Sequence, residues 1–302
     1  MAIIETIAPI FVIIIFGAVL QWRGYLKGHF VEETSRFVYL FPLPVLIFTG
    51  IVKTSIQDVT ASHIAVAIIP IAIILGIAFS VGFAIGLRRG RLGSFIQTTF
   101  HGNVTYIGLA LLFYMLGDEG LKRGSILVGI LILVNNSLAI AVLSWTSDQH
   151  GGVRRALLSV VRSPVIVATF AGLAVLYAAV PIPAVIMRSM SILANIALPM
   201  ALILIGASIS PGTIRQSLKL SILASALKLL LLPGIALAFC KIFHIPSQEA
   251  LPAIMLLATP TAVSTYVMAR EMGGDTDLAS GSVTLSTLLS PLAFVLWIWA
   301  AR

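Results

Sequence analysis

Apolar residues in this chain come in long runs, and the polar residues are gathered into short breaks between them. Runs of about 17 to 25 apolar residues can cross a hydrocarbon core as helices. The pattern predicts ten such spans: Ile4 to Leu20, Phe37 to Val52, Ile64 to Leu87, Phe95 to Leu116, Ile126 to Trp145, Val165 to Val180, Ala184 to Ser208, Leu218 to Phe239, Ala250 to Ala269 and Leu278 to Trp299. A membrane barrel would show short alternating segments instead. The expected fold class is an all-α integral membrane protein. Ile7 to Leu20 lacks the basic start of a secretory signal, since Glu5 precedes it and no Lys or Arg occurs before Arg23, so it counts as the first span. The longest polar break, Thr146 to Arg162, falls mid-chain, and no soluble domain is expected.

Composition and charge agree with that reading. Of 302 residues, 59% are apolar and 10% charged, against roughly 25% charged in soluble domains, which excludes a water-soluble globule. The net charge of +8 comes from basic residues in the breaks, where they act as topology signals; nucleic acid is not an expected partner. Twelve of them, Arg23, Lys27, Arg36, Arg88, Arg89, Arg91, Arg154, Arg155, Arg162, Arg215, Lys219 and Arg270, follow odd-numbered spans. Six, Lys53, Lys122, Arg123, Arg188, Lys241 and Arg302, lie on the opposite side. The bias puts the central break in the cytoplasm and both termini outside it. Cys240, the single cysteine, is expected as a small buried hydrophobe, with neither disulfide nor thiolate metal site available. No metal cluster, nucleotide loop or activated nucleophile is present, so no cofactor and no enzymatic activity are expected.

The chain also repeats itself. Gly117-Asp118-Glu119-Gly120-Leu121-Lys122-Arg123-Gly124-Ser125 matches Gly274-Asp275-Thr276-Asp277-Leu278-Ala279-Ser280-Gly281-Ser282 at five of nine positions, and Pro9, Gly17 and Pro44 match Pro164, Gly172 and Pro199. Five spans fit within the offset, so the second copy would start on the other side of the membrane. Residues 1–148 and 164–302 are then two inverted five-helix repeats joined by a cytoplasmic linker, 149–163. Inverted repeats are how many secondary transporters obtain alternating access.

Spans four and nine correspond within the repeat, and each carries an interruption, with Asn103 at the position of Pro260. Proline removes a backbone donor, and Gly102-Asn103 permits unwinding. Broken helices near mid-membrane present free N–H groups and positive dipole ends, which attract anions. The candidate substrate-binding residues are Gly102, Asn103, Thr105, Tyr106, Thr259, Pro260, Thr261, Val263 and Ser264, joined by Lys228. Lys228 lies in the middle of span eight, roughly 13 Å or more along the helix from Lys219, too deep to snorkel. Three roles stay open for it: an anion contact, a proton-linked switch, or a brace for an unwound helix.

No Asp or Glu lies deep in any span, which disfavours a dedicated sodium/proton antiporter, although carbonyl and hydroxyl oxygens could still bind sodium. Asn135, Asn136 and Asn195 fit interhelical hydrogen bonding or substrate contact equally. His63 is expected at the interface, His101 is a candidate titrating group beside the break, and Trp22, Trp297 and Trp299 are placed as interface anchors.

The stretches Ser189 to Ala201 (SMSILANIALPMA), Leu204 to Ser208, Ala258-Thr259-Pro260 and Val267 to Glu271 resemble the auxin efflux carrier family, which includes plant PIN exporters and bacterial carriers labelled malonate or malate permeases. The likeness runs from Pro9 to the last span, and the short central break looks like a bacterial member of an inner membrane. The resemblance implies ten helices in an inverted five-plus-five arrangement similar to bile-acid/sodium symporters. It also implies a homodimer through scaffold helices one, two, six and seven, and a moving domain of three to five and eight to ten. In PIN proteins a proline-asparagine pair and a second proline frame the site for a substrate carboxylate. Asn103 and Pro260 match, but Gly102 stands where the first proline would be; Lys228 matches a basic position of the eighth helix, and no acidic residue in span three matches the supporting site of some plant members. The expected function is secondary transport of small organic anions, elevator-like. The alternatives are a sodium-coupled organic-anion symporter or a substrate receptor that does not transport.

Overall fold

The computed structural model describes residues 2–54, 60–146, 162–209 and 217–301. Arg154, Arg155, Arg215 and Arg302, used above for topology, and nearly all of the 149–163 linker lie outside the described residues. Within them the chain is helical and no strand forms beyond one isolated bridge. The helices are α1 (Ala2–Trp22), α2 (Gly28–Leu40), α3 (Pro42–Val52), α4 (Ala61–Ala84), α5 (Arg89–Phe100), α6 (Leu109–Thr146), α7 (Pro164–Tyr177), α8 (Ala184–Ala194), α9 (Ala197–Ala207), α10 (Leu218–Ala226), α11 (Leu232–Ile242), α12 (Ser247–Leu257), α13 (Ser264–Glu271) and α14 (Thr276–Ala300). Two π-helical turns, Val104–Gly108 and Leu227–Leu231, lead into α6 and α11.

Among the described residues, six helical segments are long and apolar enough to cross a membrane: Gly28–Val52, Ala61–Ala84, Val104–Thr146, Ala184–Ala207, Leu218–Ile242 and Thr276–Ala300. The first and sixth predicted spans are shorter apolar helices, Ile7–Trp22 and Pro164–Tyr177. The ninth is divided into α12 and α13 by its break, and the second half of the fourth runs on into the fifth as α6, interrupted at Gly117 (φ 63°). Large apolar side chains such as Val12, Phe16, Phe170, Ile192 and Leu292 stand exposed on these helices, as a lipid-facing surface requires. The protein is a multi-pass membrane protein.

Two compact units form. One gathers Met1–Thr60, Thr105–Ile130 and Val161–Ile209, the other Ala61–Val104, Leu131–Val160 and Ser210–Arg302. In the first, α1 packs along α9 and α3 along α7 and α8. The α1–α9 seam is close because it is built on glycine: a Cβ on Gly17 would run into the Ile203 carbonyl, and one on Gly206 into the Ile14 carbonyl. Without a hydrophobic driving force between helices in lipid, such small residues let backbones approach and gain dispersion.

In the second unit, α4 packs on α5, α11 and α12, while α14 packs on α5, α10 and α13. Asp275 pins the start of α5 against the turn before α14. Its carboxylate caps the Leu278 N–H at 2.9 Å and faces Arg91 Nε at 3.4 Å, and its own N–H donates to Ser94 Oγ at 2.8 Å. Gly90 touches the Gly273 carbonyl so closely that a Cβ would not fit.

Pro233 explains the π-helical turn in span eight. It has no N–H to give the Leu229 carbonyl four residues back, and its ring crowds that position, so the helix widens and Leu232 N–H bonds instead to Leu227 O. The freed Leu229 carbonyl accepts from the Trp297 indole N–H at 2.7 Å. Trp297, expected as an interface anchor, thus spends its polar edge inside the protein, while Trp22 and Trp299 stay exposed. Trp297→Phe keeps an aromatic ring but removes the indole donor and leaves that carbonyl unpaired, which should cost about 1–3 kcal/mol and lower the apparent melting temperature in detergent. An unchanged melting curve would contradict this assignment.

Candidate functional site

Both helices are interrupted where the sequence carries Gly102-Asn103 and Pro260. The helical chain stops at Phe100 and resumes at Val104; it stops again at Leu257 and resumes at Ser264. The two interruptions cross and pair as a two-residue antiparallel bridge between Gly102 and Thr261. The Asn103 N–H donates to Pro260 O at 2.7 Å, and the Ala262 N–H to His101 O at 2.9 Å. Unwound backbone deep in a membrane protein must find partners inside the protein, and here each break supplies the other.

The crossing lies within the second unit, its members falling between Ser94 and Val104, between Lys228 and Ser264, or on α14. Gly102, Asn103, Thr259, Pro260 and Thr261 are buried, whereas Val263 is half-buried and Ser264 exposed. Thr105 and Tyr106, expected in the same site, belong to the first unit, whose boundary falls just after Val104.

Helix ends leave backbone groups without intrahelical partners, negative at the C-terminus and positive at the N-terminus. At this crossing the negative ends are capped by protein donors. Thr261 Oγ1 donates to Thr98 O near the end of α5 at 3.0 Å, Thr259 Oγ1 to Leu256 O at 2.6 Å, and Lys228 Nζ to Leu257 O, the last carbonyl of α12, at 2.6 Å. The positive end of α13 is different, because Val263 stands at its N-cap position and no side chain caps it. Backbone bonds tighten that turn, from Thr265 N–H to Ala262 O and from Tyr266 N–H to Val263 O, both at 3.1 Å, and the Thr265 hydroxyl also donates to Ala262 O at 2.7 Å.

Lys228 is wholly buried in the π-helical turn, and among the described residues no carboxylate pairs with it. Its bond to Leu257 O is the contact that a brace at a broken helix, one of its three open roles, would make. Gly102 makes room for it: a Cβ there would lie 2.5 Å from Thr259 Oγ1, 3.0 Å from Lys228 Nζ and 3.2 Å from its Cε. The glycine that departs from the PIN pattern is therefore required here by space, not only by its freedom to unwind.

His101 is buried beside the break, its Nε2 3.3 Å from Ser264 Oγ and its Nδ1 without a hydrogen-bond partner. One turn earlier on α5, Gln97 donates from Nε2 to Met268 Sδ at 3.4 Å and leaves a buried Oε1 unpaired. Ser286 supports the crossing from α14 by accepting from Thr261 N–H at 3.0 Å. Gln97, Thr98 and Ser286 were not expected in the site. For Ser286 a signal was present, since Ser282, Ser286 and Ser290 recur every four residues along a span without charged residues after Asp277, which places them on one helix face.

His63, near the start of α4, is buried, with Nε2 3.0 Å from Glu249 O at the start of α12. Asn195 is exposed at the bend between α8 and α9, and Asn135 is buried with an unpaired Oδ1. Cys240 is buried and free. Among the described residues no group of three or more His, Cys, Asp or Glu could hold a metal ion.

Comparison with known proteins gives the same picture over the whole length. The model of the family described as "Membrane transport protein" matches residues 2–148 and 153–298. An uncharacterized transporter of Methanocaldococcus jannaschii is 23% identical, covering 98% of this chain and 97% of its own. One of Methanothermobacter thermautotrophicus is 25% identical over 97% and 96%. A Rhizobium meliloti protein named "Putative malonate transporter" is 23% identical over 90% and 89%. All three are named as transporters. A helical chain with its unwound crossing buried in one unit, matched from end to end by that model, belongs to the membrane transport protein family, the auxin efflux carrier family it resembles in sequence.

Proposed function

We propose that this protein is a secondary carrier of small organic anions, with the substrate carboxylate held at the crossing of the two broken helices. The observation that carries this reading is the asymmetry of helix ends there. Protein donors already occupy the negative ends, while the start of α13 at Ser264 has no side-chain cap and lies on the more open side. A carboxylate is the complement of such an end. Asn103, on the residue before the helix resumes at Val104, adds an amide that can donate to it. Gly102, Thr259, Pro260 and Thr261 shape the crossing, with Lys228 behind them. Malonate is a natural first substrate to try, because one relative carries its name.

In this reading the chain is a ten-helix inverted repeat working as a homodimer in a bacterial inner membrane with both termini outside the cytoplasm, and it alternates access by an elevator-like movement. The test is uptake of radiolabelled malonate and a panel of mono- and dicarboxylates into proteoliposomes. Saturable, competable flux of at least one carboxylate is expected. Binding of carboxylates without any flux would replace the carrier with a receptor, and neither binding nor flux would overturn the assignment.

A further inference from the structure

Carriers with discontinuous helices commonly place a free cation, Na⁺ or H⁺, against unwound carbonyls and half-helix C-termini, so that the negative ends of the broken helices are neutralised. In this chain that position is taken by a side chain. Lys228 Nζ sits 2.6 Å from the last carbonyl of α12, and against the backbone of Gly102, just past the end of α5. Thr259 Oγ1 lies on the same side of Gly102, and Ser225, three residues before Lys228, holds a buried hydroxyl without a hydrogen-bond partner. The lysine is wholly buried, no carboxylate pairs with it among the described residues, and a π-helical turn carries it. A buried cation without a counter-ion is costly, and the negative end of α12 is what this surrounding offers in compensation.

We infer that the Lys228 ammonium is a tethered cation filling the place of a free coupling ion, so that anion flux through this protein needs no sodium. The inference rests on the proposed carrier function for its flux readout and on the crossing geometry alone for its binding readout. It has a structural corollary: shortening the side chain vacates the space beside the Leu257 carbonyl and the Thr259 hydroxyl, whereas an apolar side chain of similar length fills that space without charge.

The experiment compares the full-length protein with Lys228→Ala and Lys228→Met, in sodium chloride and in choline chloride, by malonate flux in proteoliposomes and by thermal melting in detergent. Wild-type flux and melting are expected to be the same in both salts. Lys228→Ala should transport about tenfold more slowly in choline, the loss expected for one charge-assisted hydrogen bond, and recover in sodium. Lys228→Met should be slow in both. Wild-type flux that collapses in choline would overturn the inference, as would either variant running at the wild-type rate in choline. Should Lys228→Ala not accumulate, the wild type and Lys228→Met decide by the same criteria. If no protein moves a carboxylate in any salt, the carrier reading fails. Melting then tests Lys228 alone: sodium should stabilise Lys228→Ala and not the wild type, and indifference of a folded Lys228→Ala to sodium would overturn the inference.

Discussion

Replacing Asn103 by Ala is expected to lower carboxylate flux by about ten- to a hundredfold while leaving the protein folded, the loss corresponding to one hydrogen bond to a charged group, about 1.5–3 kcal/mol. The backbone pairing of the crossing should survive because it does not use the Asn103 side chain. Its N–H, which Ala retains, bonds to Pro260 O at 2.7 Å, and the companion bond from Ala262 to His101 does not involve it. The side chain, 7% exposed, sits on the residue from which the helix resumes at Val104. The measurement is initial uptake into proteoliposomes together with a melting curve of the same preparation. Flux within twofold of wild type, from a variant that melts normally, would remove Asn103 from the site.

Gly102→Ala should have an effect of similar size by a different route. The new methyl would lie 2.5 Å from Thr259 Oγ1 and 3.0 Å from Lys228 Nζ, and neither atom is free to swing away. Thr259 Oγ1 is committed to Leu256 O and Lys228 Nζ to Leu257 O, each at 2.6 Å. Making room breaks a buried hydrogen bond or shifts the crossing, about 2–4 kcal/mol when overpacking and a lost bond are combined. Both melting temperature and flux should fall. The Thr259→Ala background separates this clash from a general dislike of alanine in the turn. It removes the nearest obstructing atom, so the double variant should be less impaired than the two single losses together, by roughly 1 kcal/mol or more. Strict additivity would show that the Gly102 backbone, and not the space beside it, is what matters.

The double variant bears on a wider difference between this chain and the PIN pattern. A proline in place of Gly102 would bring a Cβ into the same space. In this protein that space is held by Lys228 and Thr259, so the residue at 102 and the basic residue of span eight should vary together in function. The unwound segment stays ordered without the proline ring because the bridge to Thr261, the Thr261 N–H to Ser286 bond and the Thr261 hydroxyl to Thr98 bond all converge on it.

Membrane character, helical class and the two places where helices break could be read from residues 1–302 alone. Each rests on local chemistry that travels with the residue: apolar runs partition into lipid, Pro260 cannot donate, Gly102-Asn103 unwinds readily. The partners could not be read. Lys228 meets a carbonyl 29 residues away, Trp297 one 68 away, and His101 and Thr98 meet Ser264 and Thr261 across 163 residues. Residue type says what a group can bond to, and the long-range packing of α5, α12, α13 and α14 alone brings a given donor to a given acceptor. For Lys228 the sequence dictated that a buried ammonium must be compensated. Only the folded chain settled that the helix-end carbonyl of Leu257, and among the described residues no carboxylate, meets it.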